Sequence, residues 1–210
     1  MQLTASERII LFPDGFTEEG GMLTSKVELP DGRKLGSERL GRAVMQAAIL
    51  AVEAAGGLQL EVRQGKALFG LMKTRKLYAA PRGQAPAFPE GSLEAAVAAQ
   101  LAGGEIEVGA LVQALIGEEQ ADPAAWVVTR VQRGLAERGV LAAEEGRVLK
   151  VFTVIKYVLT DETRTAAAAE GIAGVESLLA GTQRERPEVW SELERAVRSG
   201  ITFMTESSGD

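Results

Sequence analysis

The 210-residue chain contains no histidine and no cysteine, and this pair of absences excludes a great deal of chemistry. Those two residues supply most general bases near neutral pH, most thiol nucleophiles and most zinc ligands. Catalytic triads built on either are therefore excluded. No disulfide framework can form, which agrees with a reducing compartment. Oxygen-only cation sites and acid–base chemistry by Asp or Glu would need carboxylates that converge. The pairs Glu18-Glu19, Glu118-Glu119 and Glu144-Glu145 are instead adjacent in sequence, so in regular structure they diverge. The sequence assigns no catalytic residue, no metal ligand and no cofactor. It reads as a binding protein and not as an enzyme.

Positive charge is also short. Lys and Arg number 23 against 29 Asp and Glu, for a net charge of −6 and an isoelectric point near 5.0. Broad-face binding of duplex nucleic acid, which depends on neutralising phosphates, is disfavoured. The small basic run Lys73, Arg75, Lys76 reads as a strand edge kept soluble by charge. Long apolar runs are missing too: no uncharged stretch, Ala43 to Val52 included, exceeds ten residues, about half of the roughly 20 that span a bilayer. The opening Met1-Gln2-Leu3-Thr4-Ala5-Ser6-Glu7-Arg8 lacks the pattern of a secretory signal. The expectation is a cytoplasmic protein without a transmembrane segment.

With 46% hydrophobic and 25% charged residues, the chain has the composition of a folded globular protein. The expectation is one domain over residues 1–204 with a disordered tail over 205–210. Residues Glu7 to Phe12 form a short buried strand or helix closed by Pro13-Asp14-Gly15. Leu23 to Leu29 alternate as a half-buried strand before the Pro30-Asp31-Gly32 turn. Ser37 is placed as the N-cap of a long helix in which Leu40, Val44, Ala48, Ala51 and Ala55 recur at helical spacing, ended by Gly56-Gly57. Because Ala43 to Val52 carry no charge, this is the expected central core helix. Leu58 to Val62 and Ala67 to Tyr78, split near Gln64-Gly65, predict a hairpin.

After a Pro- and Gly-rich loop over 81–91, Ser92 caps a helix carrying Leu93, Val97 and Leu101, and Val108 to Ile116 give another. Asp122-Pro123 is an N-cap with proline at the first helical position. In the helix that follows, Val127, Val131 and Leu135 form an apolar stripe, Arg130, Arg133 and Glu137 a polar one, and Gly139 ends it. A strand from Val140 turns near Glu145-Gly146 and returns as Val148 to Leu159, apolar on both faces, which suits burial or contact with a partner or membrane. One helix from Glu162 to Ala180 and another opened by Pro187 complete the chain. The fold class is therefore mainly α with short β-hairpins: a central buried helix surrounded by helices, with winged-helix-like helix–hairpin units.

The stretch Trp126 to Leu159, with its Leu135-Ala136-Glu137-Arg138-Gly139-Val140-Leu141 motif, resembles the Golgi phosphoprotein 3 family in its divergent prokaryotic form. Gly57-Leu58-Gln59-Leu60-Glu61 and the opening Leu3-Thr4-Ala5-Ser6-Glu7-Arg8-Ile9-Ile10-Leu11 share the likeness, and the order of elements matches over roughly residues 3–180. The resemblance implies a central helix ringed by others, a hydrophobic hairpin, and a non-catalytic peripheral membrane or adaptor role. Eukaryotic members bind a phosphoinositide head group through a tryptophan and arginines. Alignment on the "GVL" segment puts Ala125 and Val128 at two of those arginine positions, leaving Arg130 and Arg133 nearby and Arg42 as a third candidate.

Arg42, Arg130 and Arg133 are accordingly the candidate anion-binding residues, since the guanidinium fork suits phosphate. The plain alternative for the latter two is a solvated helix face paired with Glu137. Phe152, Val154 and Tyr157 are the candidate membrane or partner contacts, against core burial as the alternative. The expected partners are an anionic phospholipid and a protein partner or second copy. A winged-helix DNA regulator and a scaffold that oligomerises through its hairpin are the competing readings.

Overall fold

The computed structural model describes residues 2–16, 25–67, 72–83, 87–117, 120–148 and 152–206. These form eight α-helices and three small antiparallel sheets, mainly α with short hairpins. At the centre is α2 (Ser37–Ala54). Leu40, Val44, Met45, Ala47, Ala48, Ile49 and Val52 are each 0% exposed, so almost its whole circumference is covered, as its lack of charge requires. The N-cap is Gly36, not Ser37. The Ser37 hydroxyl turns instead toward the Asp122 carboxylate, 3.1 Å away.

Around α2 lie α1 (Ala5–Leu11), α3 (Leu93–Gln100), α4 (Val108–Ile116), α5 (Pro123–Glu137), α7 (Ala173–Glu185) and α8 (Pro187–Glu206). The ambiguous opening segment is thus helical. Its Thr4 and Glu7 form a reciprocal capping box, which satisfies donors that a strand would not leave open. The helix expected over 162–180 is broken: α6 (Asp161–Glu170) ends at Gly171 and α7 begins at Ala173, because Gly171 takes a φ of +63° that an L-residue seldom adopts.

Helix followed by hairpin occurs twice. After α2 come β3 (Leu58–Ala67) and β4 (Met72–Pro81), joined by the two-residue β5 (Ile106–Glu107). After α5 come β6 (Leu141–Val148) and β7 (Phe152–Leu159). Both turns lie later than the sequence suggests. Gly65 pairs with Thr74 and Gly146 with Val154, so each glycine sits inside a strand. The turns themselves fall outside the described residues. The early strand shrinks to β1 (Lys26–Glu28), paired with β2 (Lys34–Gly36). Of the tail expected over 205–210, Thr205 and Glu206 belong to α8, and 207–210, like Leu23, lie outside the described residues.

Glycines set how closely the helices approach. A Cβ on Gly41 would stand 2.7 Å from the Ala124 carbonyl oxygen, fixing the α2–α5 crossing. Gly200 plays the same part where α8 crosses α4, against Val112. Among the described residues no helix is long and apolar enough to cross a membrane.

Candidate functional site

The candidate cations stand on α5, and the start of that helix is held from three directions. Asp122 caps it by accepting from the Ala125 N–H at 2.8 Å, and the same carboxylate receives the Ser25 hydroxyl and meets that of Ser37. One side chain therefore ties β1, α2 and α5 together. Below it, Val127, Val128 and Leu135 are 0% exposed. Gln132, almost fully buried, donates its amide to the Glu28 carbonyl at 2.9 Å. At the far end Gly139, at φ +72°, closes the helix while Val140 N–H bonds back to the Leu135 carbonyl at 2.9 Å.

Trp126, Arg130, Arg133 and Glu137 share the outer stripe, each four or three residues after the last. The Arg130 guanidinium carbon lies 5.2 Å from the centre of the Trp126 ring, within range of a cation–π contact. Arg130 is half-buried. Its Nε is shielded from solvent and has no hydrogen-bond partner. Burial lowers its pKa from the usual arginine value, and neighbouring Arg133 lowers it further, while Glu137 acts the other way. The guanidinium remains charged. A buried donor without an acceptor costs about 1–3 kcal/mol, and such groups are normally met by water or an ion. An oxyanion arriving at the stripe would be met by the terminal amines of this guanidinium and by the neighbouring Arg133.

Arg133 is exposed beside it. Arg42 stands apart: it is half-buried and pairs with Glu38 at 3.4 Å on its own helix, and the charges that shift Arg130 are Arg133 and Glu137, not Arg42. Its neighbour Gly41 abuts Ala124. Arg42 therefore flanks the start of α5, six residues before Arg130, which is roughly 9 Å along the helix axis. Trp126 was not a sequence candidate, although its four-residue spacing from Arg130 made the stack readable.

On the second hairpin, Tyr157 is half-buried against the core, so only part of it is available for contact. Phe152 and Val154 belong to β7, but their side chains lie outside those described. Ile155, on the strand face it shares by alternation with Tyr157 and Leu159, is 57% exposed, as no other large hydrophobic side chain is among the described residues. The hairpin base is clasped to β1 by Lys156, which donates to Glu28 at 2.8 Å, and by Leu159 N–H to the Pro30 carbonyl at 3.2 Å. The Lys156 hydrogen bond holds the Glu28 carboxyl below its usual range, against a smaller upward push from burial.

A second polar cluster was invisible in the sequence. Glu94 of α3 and Glu7 of α1 are both 0% exposed. Glu94 accepts from Ser6 N–H and from the Ser6 hydroxyl, each at 2.8 Å, capping α1 from another helix. Glu7 accepts from Thr4 N–H at 2.9 Å and pairs with Arg138. Burial pushes the Glu94 carboxyl up, opposed by the bonds from Ser6 and Thr4. Among the described residues no three His, Cys, Asp or Glu side chains gather as a metal site.

Comparison of the chain with protein-family models, curated proteins and solved structures finds no match.

Proposed function

We propose that this protein works by binding and not by catalysis, as a peripheral membrane or adaptor protein that takes an anionic head group on the outer stripe of α5, at the cytoplasmic side of a membrane. The placement of half-buried Arg130, stacked on Trp126, beside the exposed Arg133 on one stripe of α5 carries this reading. The Arg130 guanidinium is held in place by Trp126 and lies beside a second cation, so an arriving oxyanion meets a largely ordered site. The likeness of residues 126–159 to the Golgi phosphoprotein 3 family supports the same class of role. Ile155, exposed on the nearby hairpin, favours an accompanying contact with the bilayer interface, a protein partner or a second copy.

Co-sedimentation with phosphatidylcholine vesicles, with and without phosphatidylserine, tests the proposal. Binding should require the anionic lipid, weaken with salt, and fall about tenfold or more on Arg130→Glu with Arg133→Glu. Unchanged sedimentation of that variant would remove the head-group reading. Strong, salt-sensitive binding to duplex DNA in a parallel assay, without vesicle binding, would favour the winged-helix regulator in its place.

A further inference from the structure

The three-stranded sheet treats its two edges differently. Beyond β4, β5 pairs with Tyr78 and Ala79, and Arg195 of α8 donates to the Arg75 carbonyl. The strand order β3-β4-β5 leaves no strand on the other side of β3 among the described residues. There the Leu60 N–H goes to the Glu53 carboxylate at 2.9 Å, which fixes the direction of the ladder: by alternation Val62 and Gln64 also turn their main-chain groups outward. Glu53, gripped by Arg186, covers the edge at Leu60. Past it, Glu61, Arg63, Gln64 and Gly65 are exposed and Val62 is half-buried.

An open edge invites a further strand, and folded proteins ordinarily blunt it with proline, a bulge or charged side chains. The strand β3 has no proline and stays in register with β4 from Leu58 to Ala67 without a bulge. Its charges alternate in sign: Glu61 and Arg63 stand on one face, either side of Val62. Such a pattern matches itself run backwards. In an antiparallel pair of β3 strands centred on Val62, Glu61 of each copy faces Arg63 of the other, and the two Val62 residues meet on the two-fold axis. Sliding the register to either neighbouring ladder sets Arg63 against Arg63 or Glu61 against Glu61, which is unfavourable.

We propose that two copies of this chain associate through the outer edge of β3, antiparallel about Val62, joining their three-stranded sheets into one. Val62 N–H of each copy donates to the Val62 carbonyl of the other, and each Gln64 N–H donates to the other's Leu60 carbonyl. Glu53, on the Leu60 N–H, marks the end of the ladder. The contact is two-fold and closes on itself, so it makes a dimer and not a fibre. Arg63 is ordered beforehand, 4.8 Å from the centre of the Tyr78 ring and bonded to Glu61 and Glu105, so little freedom is lost there. Main-chain bonds and the Val62 pair supply the attraction, and the charges select the register.

Sedimentation velocity of the full chain over micromolar to millimolar concentration, the range expected of a small contact, tests this. The 22.2 kDa monomer should give way to a dimer as concentration rises. Glu61→Arg and Arg63→Glu should each weaken the dimer about tenfold or more, because like charges then face each other twice across the axis. Mixed in equal amounts, the two variants should associate about as well as the wild type, since every charge again meets its opposite; circular dichroism checks that each is folded. The proposal is overturned by a chain that stays monomeric throughout, by a dimer that both charge reversals leave unchanged, or by a mixture no better associated than its separate components. A dimer lost in Ile155→Asp and kept in Glu61→Arg would overturn it too, by moving the contact to the β6–β7 hairpin.

Discussion

Gly134→Ala probes the seam on which the α5 stripe depends. Gly134 faces the backbone of Gly91, and a Cβ placed there would stand 2.3 Å from the Gly91 carbonyl oxygen and 3.0 Å from its carbon. Ordinary contact begins near 3.4 Å, so the two backbones must separate by about 1 Å. Neither side is a flexible side chain. Gly91 holds φ at +78° next to Ser92, whose hydroxyl caps α3 by accepting from Ala95 N–H at 3.1 Å. Moving the loop therefore disturbs that cap as well as the α5 contact. Alanine gains roughly 1 kcal/mol of helix propensity over glycine, while overpacking costs about 1–3 kcal/mol and loss of a cap about 1 kcal/mol more. The expected net loss is about 1–3 kcal/mol, or a fall in Tm of roughly 3–10 °C at this chain length. Calorimetry and urea denaturation measure it. Gly181→Ala is the internal control: it lies within α7, its Cβ would meet nothing within 4 Å, and it should gain about 0.5–1 kcal/mol. If Gly134→Ala is as stable as the wild type, or the two variants behave alike, the close approach of Gly91 to α5 is wrong.

Other perturbations have definite expected outcomes. Arg138→Met leaves the buried Glu7 carboxylate without its ion pair and should cost about 3–5 kcal/mol in urea denaturation, with Glu7→Gln in the same chain restoring much of the loss. Glu94 is raised above its ordinary value of 4.5 by burial, so its favourable contribution is complete below the unfolded-state pKa and is lost as pH rises through the folded-state pKa. The stability of wild type relative to Glu94→Gln should therefore decline as pH climbs above about 4.5, and a gap that is flat with pH would contradict the buried ionisation. Glu28 has the opposite sign: its carboxyl is held down chiefly by the Lys156 hydrogen bond, so that contribution is present above the unfolded-state pKa and is lost on acidification through the folded-state pKa. Lys156→Met should shift the Glu28 carboxyl resonance titration upward in NMR.

Legibility followed the range of the interactions. Helices α2 and α5 were readable because apolar spacing and stop residues lie within one segment, and α5 adds its cap, with Asp122 and Pro123 at one end and Gly139 at the other. The hairpin turns were misplaced because a glycine in an apolar run signals a bend locally, whereas Gly65 and Gly146 are retained inside strands by their cross-strand partners. Three-residue β2 and two-residue β5 are too short to show alternation. Ser37 has the composition of a cap, yet its hydroxyl is taken up by Asp122, 85 residues away. Of the candidate site, the Arg130–Arg133 stripe was visible as a helical pattern. The burial that leaves Arg130 Nε without a partner depends on packing around the helix, and the Glu94–Ser6 bond spans 88 residues, beyond any local pattern.

The central claim, that the α5 stripe takes an anion at Arg130, is tested most directly through Trp126, whose ring stacks on that guanidinium. The sequence has two tryptophans, so Trp190→Phe leaves Trp126 as the sole reporter. Titrating this variant with phosphatidylcholine vesicles containing phosphatidylserine should produce a saturable, salt-sensitive change in Trp126 emission that is absent with phosphatidylcholine alone and abolished by Arg130→Gln. An emission unchanged by the anionic vesicles, or a change that survives Arg130→Gln at full size, would contradict the account.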